Sequence, residues 1–439
     1  MRKNPVIVFL IVLGIFSSIV CQKNMAAGGS SQKGASDTTA AITKLTVSGV
    51  VGNPEAPLVK QKALYESAYP GRTVEWITTD TNTREQVLKT AIAAGDPPAI
   101  GYYWGTRVNS FYNIGMNLDL RPYLDKALLD KINKSMLEPC IGKNGEVFAI
   151  PFSTVYHTTF YNKDMMNKYG FKIPETWDDM TAIFKRLKQD DIYGFATNSA
   201  SMQDCLYGIT YAELEAKVGP GTSRGVANGD VSVAPGSPAG EVIRTCIEQV
   251  KAWYDAGYWY PGKSAINTTA DDANAAFAKE QCIFIFNFSG ALPVHQKSCK
   301  FEVGAFMKPV SKAGMKSYEN IEPSVYFIPS NASKAQIAAA VDFFKIALSQ
   351  EAQQDIVSNN NIPSVTSYNY SNISETLKGI MGKLADGNTI AGINPTRTSS
   401  EMQTFIKTQI FAAPLGGTKT IDQTLDEMER LRLAARAAK

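Results

Sequence analysis

Histidine, the side chain that most often acts as an acid or base in enzymes, is scarce in this chain, and the spacing of its residues matches no catalytic or metal-binding motif. His157 and His295 are the only histidines among 439 residues. Neither belongs to an HExxH motif or stands beside a cysteine or aspartate at metal-ligand spacing, so we predict that both are structural. The chain has no GxSxG elbow, and GPGTSRG at 219–225 lacks the GK[ST] end of a phosphate-binding loop. The sequence therefore predicts no catalytic residue, no metal site and no cofactor.

Paired carboxylates are the remaining candidates for acid–base chemistry. Asp178-Asp179 and Asp271-Asp272 lie at the starts of predicted helices, where negative charge interacts favourably with the helix dipole. That structural role is the simpler interpretation. Because a glycosidase can draw its two carboxylates from any part of a sequence, a cell-surface carbohydrate-active enzyme remains an alternative to a binding protein.

Aromatic, amide and hydroxyl side chains are concentrated near the ends of predicted strands. They are Tyr102, Tyr103, Trp104, Tyr156, His157, Phe286, Asn287, Phe288 and Ser289. Open α/β sheets bind ligands beyond the carboxyl ends of their strands. Aromatic faces pack on the apolar faces of sugar rings, while amides and hydroxyls match the ring hydroxyls. The pattern predicts a small-molecule site suited to a sugar.

The elements that must position these side chains alternate along the first part of the chain. Strands are predicted over 45–51, 73–78 and 99–104, separated by helices over 55–69 and from Thr83 to about Gly95. This order is typical of a parallel α/β sheet.

The helix that begins after Thr83 carries the clearest local signals of this region. Thr83 and Gln86 match a capping box. One apolar face is predicted to consist of Val87, Leu88, Ala91 and Ile92.

The second part of the chain repeats the alternation less regularly. A Gly/Pro/Ser-rich loop is predicted over 219–240 and a buried strand over 282–288. Five helices are predicted in this part. One follows the Thr176 cap, one runs from the end of the loop to about Gly257, one covers 269–280, one follows the Ser333 cap, and one starts near Thr418.

The N-terminus predicts secretion. Arg2 and Lys3 precede an apolar run from Val6 to Phe16, which is too short to span a membrane, and Cys21 follows it. Residues 1–21 resemble a lipoprotein signal peptide, which predicts lipid attachment at Cys21. Because Val20 is bulky where such signals have Gly or Ala, ordinary cleavage of a signal peptide stays open. Residues 22–43 are small and polar and predict a flexible tether.

Size and charge bound the rest of the molecule. Residues 44–439, called the body below, follow the predicted tether. This segment is longer than a single hydrophobic core usually supports, so two lobes are predicted. The formal net charge is only +3 and no basic block stands out, which disfavours a nucleic-acid partner. Five cysteines follow Cys21 without a CxxC motif, and spacing leaves open whether any pair, such as Cys282 and Cys299, is bridged.

Seven segments, in order, resemble those of family 1 extracellular solute-binding proteins, the sugar-binding components of ABC importers that include maltose-binding protein. The segments are YPGRTVEW, LKTAIAAGDPPAI, NIGMNLDLRPYLD, NGEVFAIPF, FYNKDMMNKYGFKIPETWDDM, DANAAFAKEQCIFIFNFSG and AAVDFFKIALSQEAQQDIVSNNNIPSV. The resemblance runs from about residue 44 to the C-terminus.

The resemblance implies an α/β, two-lobe periplasmic-binding-protein fold of the class II type, with a ligand cleft between lobes joined by hinge crossings. The crossings are expected near 154, 308 and 361. Lobe 1 would comprise 44–154 and 308–360, and lobe 2 would comprise 155–307 and 361–439. Closure of the lobes around the ligand would create the form that engages the permease. Asn162, Lys163 and Asp164 would close a strand and begin a helix rather than bind ligand.

The resemblance also implies which residues bind the ligand. The candidates are Asn53, Tyr103, Trp104, Arg107, Ser153, Tyr156, His157, Phe288, Ser289, Glu322 and Tyr326. Gln403 stands where the maltose binder has an aromatic platform, so a long malto-oligosaccharide is not predicted.

The function expected from the resemblance is therefore binding, not catalysis. The partners would be a sugar ligand, the membrane subunits of an ABC permease and, through a lipid anchor at Cys21, the membrane. We expect a monomer located outside the cytoplasm, in the periplasm or on the outer face of the cell membrane. A co-receptor that presents ligand to a sensor kinase is a further alternative with the same sequence signals.

Overall fold

A computed structural model describes residues 42–52, 54–80, 83–105, 107–199, 206–391 and 400–437. The predicted signal peptide with Cys21, almost all of the tether, and the candidate Asn53 lie outside the described residues. The side chain of Gln403 is also outside this description.

Ten strands are described, numbered in chain order. They are β1 Lys44–Val51, β2 Thr73–Thr79, β3 Ile100–Trp104, β4 Ile150–Asn162, β5 Tyr193–Thr197, β6 Cys282–Phe288, β7 Val303–Phe306, β8 Glu319–Phe327, β9 Ile362–Pro363 and β10 Thr389–Ala391.

Helices cover the sheet and the connections between its strands. The α-helices are Ala56–Ala68, Arg84–Ala93, Asn109–Tyr112, Lys126–Leu129, Lys134–Leu137, Lys163–Tyr169, Trp177–Leu187, Tyr211–Lys217, Thr222–Asn228, Pro238–Asp255, Ala270–Ala278, Leu292–Ser298, Lys334–Ala347, Gln350–Ser358, Glu375–Ala385, Ser400–Thr408, Ala412–Leu415 and Ile421–Ala437. Short 3-10 turns occupy Glu138–Cys140, Lys188–Asp190, Gly262–Asn267 and Ser289–Ala291, and a π turn occupies Leu206–Thr210. Within the described residues, no helix combines the length and the apolar composition needed to cross a bilayer.

The strands form one sheet in the order β2-β1-β3-β8-β4-β6-β5. β1 pairs in parallel with β2 and β3, as the alternating pattern of the first part of the chain predicted. β8 returns antiparallel between β3 and β4. At the other end of the sheet, β5 runs parallel to β6. The mixed α/β class of the fold is therefore confirmed.

β4 is the strand that joins the two halves of the sheet. Its first half, up to Tyr156, pairs with β8 and β9. From His157 onward it pairs with β6 and β7. Phe152 lies in the core of the first half and Phe160 in a core of the second. The single 13-residue strand thus belongs to two hydrophobic cores, as the two-lobe fold requires.

Local sequence signals identified several helix starts correctly. Thr176 forms a full capping box with Asp179, and Thr269 forms one with Asp272. Both paired-carboxylate motifs thus begin helices. Ser333 caps the helix Lys334–Ala347 in the same way, and the Asn162 side chain accepts a hydrogen bond from the Met165 amide. Asn162 therefore closes β4 and begins the next helix, as expected.

The capping box predicted at Thr83 is wrong. The Thr83 backbone is already in the helical region (φ −100°, ψ −16°), and its side chain makes no capping bond. Gln86 instead donates to the hydroxyl of Thr90 (3.2 Å). The predicted apolar face is also too wide, because Val87 is 41% exposed while Leu88 and Ile92 are buried.

The surface loop predicted over 219–240 is wrong in part. Thr222–Asn228 is a helix, and Pro238–Asp255 begins inside the predicted loop. The Glu215 carboxylate accepts hydrogen bonds from the Gly221 and Ser223 amides, which satisfies the start of the first of these helices. Ser223 and Val226 are buried, so this segment packs into the core.

Cys282 and Cys299 are both free thiols, so a bridge between them is not formed. Burial raises the pKa of each thiol, which keeps them protonated and unreactive near neutral pH.

Candidate ligand-binding site

The carboxyl end of β3 is shaped by a bulge in the neighbouring strand. The register between β1 and β2 shifts between Ser48 and Val50, which leaves Gly49 at φ 99°. A side chain at Gly49 would collide with the carbonyl oxygen of Tyr102, so glycine is required here. The bulge leaves the Gly49 carbonyl oxygen to accept a hydrogen bond from the Arg84 guanidinium (Nη1 to O, 3.2 Å).

Arg84 is a buried cation at this end of the sheet. It is the first residue of the helix Arg84–Ala93 and is 1% exposed. Its guanidinium carbon lies 3.3 Å from the centroid of the Trp104 ring, a cation–π contact. Its Nε and Nη2 atoms make no hydrogen bond within the described part of the chain. Burial lowers the pKa of Arg84, and the charge of Arg107 acts in the same direction.

Trp104 is the last residue of β3 and is partly exposed. A second guanidinium, that of Arg107, lies 4.6 Å from its ring centroid. Trp104 therefore combines an accessible aromatic surface with two neighbouring cations.

Tyr103 is more deeply buried than Trp104 and makes more fixed contacts. It is 2% exposed, and its ring packs edge-on against Phe111 with 5.2 Å between centroids. Its hydroxyl donates to Glu85 (2.6 Å). Burial, reinforced by this carboxylate, raises the pKa of Tyr103. Of the two aromatic residues, Trp104 is thus the better placed to contact a ligand.

Carboxylates approach the same region from other segments. Glu322 on β8 is partly exposed, and its charge acts on Arg84 and on Tyr102. Burial, followed by the charge of Glu55, raises the pKa of Tyr102 to about 12. The Tyr102 hydroxyl lies 3.4 Å from that of Ser324.

A second group of candidates lies where β4 passes between the halves of the sheet. The Ser289 hydroxyl accepts a hydrogen bond from the Tyr156 amide (3.2 Å) and donates one to Asn361 Oδ1 (2.8 Å). Ser289 is fully buried. It therefore links β4, the end of β6 and the segment before β9, which are three separate parts of the chain.

The rings of His157 and Phe288 lie opposite each other, with 4.2 Å between centroids. Burial, followed by the charge of Lys308, lowers the pKa of His157 well below its ordinary value. His157 is therefore neutral at physiological pH. Phe288 is partly exposed and is the more accessible of the pair.

Three further candidates lie in packed positions. The Tyr326 ring stacks on Phe152 (4.1 Å between centroids), and its hydroxyl donates to Gln61 (2.7 Å). The Tyr156 ring is packed in a cluster with Ile321 and other apolar residues. Ser153 is buried opposite Ser324 of β8.

The structure thus brings Tyr103, Trp104, Arg107 and Glu322 together around Arg84, and groups His157, Phe288 and Ser289 at the crossing of β4. Tyr326 is separated from both groups by its place in the core. The ligand contacts themselves remain predictions. Sequence reasoning missed Arg84, although a cation at the first position of a helix was a usable signal, because the helix dipole disfavours positive charge there.

The fold is similar to that of solved solute-binding proteins. A structure described as a chitin oligosaccharide binding protein matches with a TM-score of 0.73 at 22% identity, covering 90% of this chain and 99% of the other. A family 1 extracellular solute-binding protein from Bifidobacterium longum subsp. infantis matches with a TM-score of 0.68 at 18% identity, covering 89% of this chain and 99% of the other. These matches confirm the predicted two-lobe fold.

Sequence comparison leads to the same family. A "Multiple sugar-binding protein" of Streptococcus mutans is 27% identical over 241 residues, which are 52% of this chain and 53% of that protein. The chain thus spans about half the length of this curated relative. The family model described as bacterial extracellular solute-binding protein matches residues 60–378, more than half of the chain. The chain therefore belongs to the family of bacterial extracellular solute-binding proteins.

Proposed function

We propose that this protein is the extracytoplasmic sugar-binding component of an ABC importer, which holds a sugar or oligosaccharide between its lobes and delivers it to a permease. The observation that carries the proposal is the partly exposed Trp104 at the carboxyl end of β3, flanked by Arg84 and Arg107. An aromatic face beside hydrogen-bond donors suits a sugar ring, which has apolar faces and a polar edge.

The relatives support sugar as the ligand class. The Streptococcus mutans relative is named for binding multiple sugars, and the solved structure of highest similarity reported above is named for chitin oligosaccharides. Both are binding proteins rather than enzymes. We accordingly propose that the bound sugar is released without chemical change.

The mechanism we propose is closure of the lobes about a hinge at Ser153–His157. β4 changes its pairing partners between Tyr156 and His157, so rotation there changes no pairing within either half. The Ser289 hydroxyl accepts a hydrogen bond from the Tyr156 amide and donates one to Asn361. These two bonds keep β4 and the segment before β9 close together near the proposed hinge. A ligand that contacts both lobes would favour the closed state by its difference in affinity for the two states. We also propose crossings near 154, 308 and 361, as the resemblance to the family implies.

We propose that the N-terminal segment anchors the protein to the membrane. Lipid on Cys21 and the tether at 22–43 would hold the monomeric body near the permease at the membrane surface. One acyl chain binds a membrane only marginally, so the multiple chains of a lipoprotein would be needed.

A thermal-shift screen of the body, followed by calorimetry of the hits, tests the ligand class. The panel comprises neutral and acidic monosaccharides and disaccharides, oligosaccharides, polyols and glycerol phosphodiesters. At 100 times its dissociation constant a true ligand adds about 2.7 kcal/mol to the free energy of unfolding. Stabilisation by a saccharide, recovered intact after incubation, supports the proposal. Stabilisation only by non-sugar solutes, or turnover of the sugar, would contradict it.

A further inference from the structure

Each of the four central strands has an accessible residue near the crossing of β4. On β8 only Glu322 is not buried, and along residues 150–160 of β4 only Val155 is not buried. Trp104 at the end of β3 and Phe288 at the end of β6 are also partly exposed. The accessible residues of four different strands therefore lie in one region of the sheet.

The pairing of β3, β8 and β4 places Trp104, Glu322 and Val155 on one face of the sheet. Trp104 lies opposite Ser324, and Glu322 lies opposite Val155. In an antiparallel pair, residues directly opposite each other point to the same face. Ser324 and Glu322 share that face because they are two positions apart on β8.

Phe288 extends the same face into the second half of the sheet. It lies opposite His157, which is two positions after Val155 and therefore points to the same side. Trp104 thus belongs to the first half of this face and Phe288 to the second half.

The other face of the crossing is covered. Tyr156 and Ile321 lie opposite each other and point away from Val155. Both are buried in one cluster with apolar residues of the helix Glu375–Ala385. The face that carries Val155 is therefore the accessible one.

The strand register sets the distance between the two aromatic residues on this face. Trp104 lies level with Ser153 of β4, and Phe288 lies level with His157. They are thus four positions apart along β4 and three strand spacings apart across the order β3-β8-β4-β6. With about 3.3 Å per residue and about 4.8 Å between strands, their Cα atoms are roughly 20 Å apart in a flat sheet.

This distance exceeds the length of one or two sugar rings. A pyranose ring and its linking oxygen contain four bonds of about 1.5 Å in a zigzag, so each ring advances a chain by about 5 Å. A disaccharide is too short to pack on both aromatic surfaces, whereas a chain of about four rings reaches from one surface to the other.

We propose that the preferred ligand is an oligosaccharide of about four rings that lies along this face, with its outer rings packed on Trp104 and Phe288. This inference rests on the proposed sugar-binding function and narrows its ligand class. Between the aromatic residues, the Glu322 carboxylate accepts hydrogen bonds from hydroxyl groups of an inner ring. Phe288 determines the preference for length, because a ligand held at Trp104 meets it only when the chain is long enough.

The test compares ligand lengths within one sugar and linkage. Xylo-, manno-, cello- and chito-oligosaccharides of one to five rings are titrated into the wild-type body by calorimetry. In a series that binds, the tetrasaccharide should bind at least tenfold more tightly than the disaccharide, because only the longer chain gains the second aromatic contact.

Substitution of Phe288 tests whether this residue supplies the gain. Phe288→Ala should reduce the ratio of the two affinities by about 3- to 20-fold, since it removes the partly exposed aromatic surface. A purely structural role of Phe288, through its packing on His157, would weaken both lengths alike and leave the ratio unchanged.

Phe171→Ala is the matched control. Phe171 is a partly exposed phenylalanine that follows the first helix after β4 and stacks on Tyr169, with 5.4 Å between ring centroids. It lies beyond the far end of β4 from the crossing, so this variant should keep the wild-type ratio.

Two results would overturn this inference while sugar binding stands. One is a disaccharide that binds as tightly as the tetrasaccharide of its series. The other is a ratio of affinities that Phe288→Ala leaves unchanged. If no saccharide of any length binds, the proposed function fails together with the inference.

Discussion

Replacing Trp104 with alanine should weaken sugar binding by removing the accessible aromatic surface at the end of β3. A tryptophan side chain presents up to about 250 Å², and Trp104 is partly exposed, so roughly 20–90 Å² is open to a ligand. At about 25 cal/mol per Å², the loss of this area costs about 0.5–2 kcal/mol of binding free energy. That corresponds to about 2- to 30-fold weaker binding.

The same substitution also removes the cation–π contact between Trp104 and Arg84, which should lower the free energy of unfolding by about 1 kcal/mol. The two effects are separated with Trp76→Ala. Trp76 lies in the same lobe on β2, is partly exposed and packs against Phe343, away from the end of β3. This control should lose stability and keep its affinity.

Isothermal titration calorimetry measures the affinity, and urea unfolding measures the stability. The reasoning is refuted if Trp104→Ala binds the sugar as tightly as the wild type at a concentration where both are folded. It is also refuted if Trp76→Ala weakens binding to the same extent.

Three further predictions follow from single residues. Ser289→Ala removes the bonds to Tyr156 and Asn361 and should lower the free energy of unfolding in urea by about 1–3 kcal/mol; no change would show that this link is unimportant. Burial lowers the pKa of His295 to about 4, so the unfolded state binds the proton more readily between about pH 6.5 and 4. Stability should therefore fall as the pH drops through that window, by up to about 3 kcal/mol, and a His295→Gln variant with an equally steep decline would contradict the assignment. Cys21→Ala, expressed in the native host, should move the protein from the membrane fraction to the soluble extracytoplasmic fraction; retention in the membrane would contradict lipid anchoring.

The fold could be predicted largely because its signals are local. The caps at Thr176 and Ser333 depend only on residues three positions apart, and the alternation of β1, β2 and β3 with helices is readable from periodicity. Thr83 shows the limit of such reasoning. Its residue type fits a cap, but a backbone already in the helical region prevents the bond, and sequence spacing does not reveal that conformation.

The site was harder to predict because it depends on which side of a strand a residue faces. Trp104 and Tyr103 are adjacent, yet one ring is partly exposed and the other is packed against Phe111. Tyr326 was a reasonable candidate by position, but its ring stacks within the core of the first half of the sheet. Arg84 escaped notice because its burial against Trp104 is a property of the folded environment.

The central claim is that a sugar is held between two lobes that close upon it, and small-angle X-ray scattering tests this most directly. The body should be measured with and without a saturating concentration of the saccharide identified by calorimetry, with circular dichroism recorded on the same samples. We predict a smaller radius of gyration with the sugar and an unchanged circular dichroism spectrum, because rigid lobes rotate about β4 without changing their secondary structure. An unchanged radius of gyration at saturation would contradict closure, and a large change in helix content would point instead to folding coupled to ligand binding.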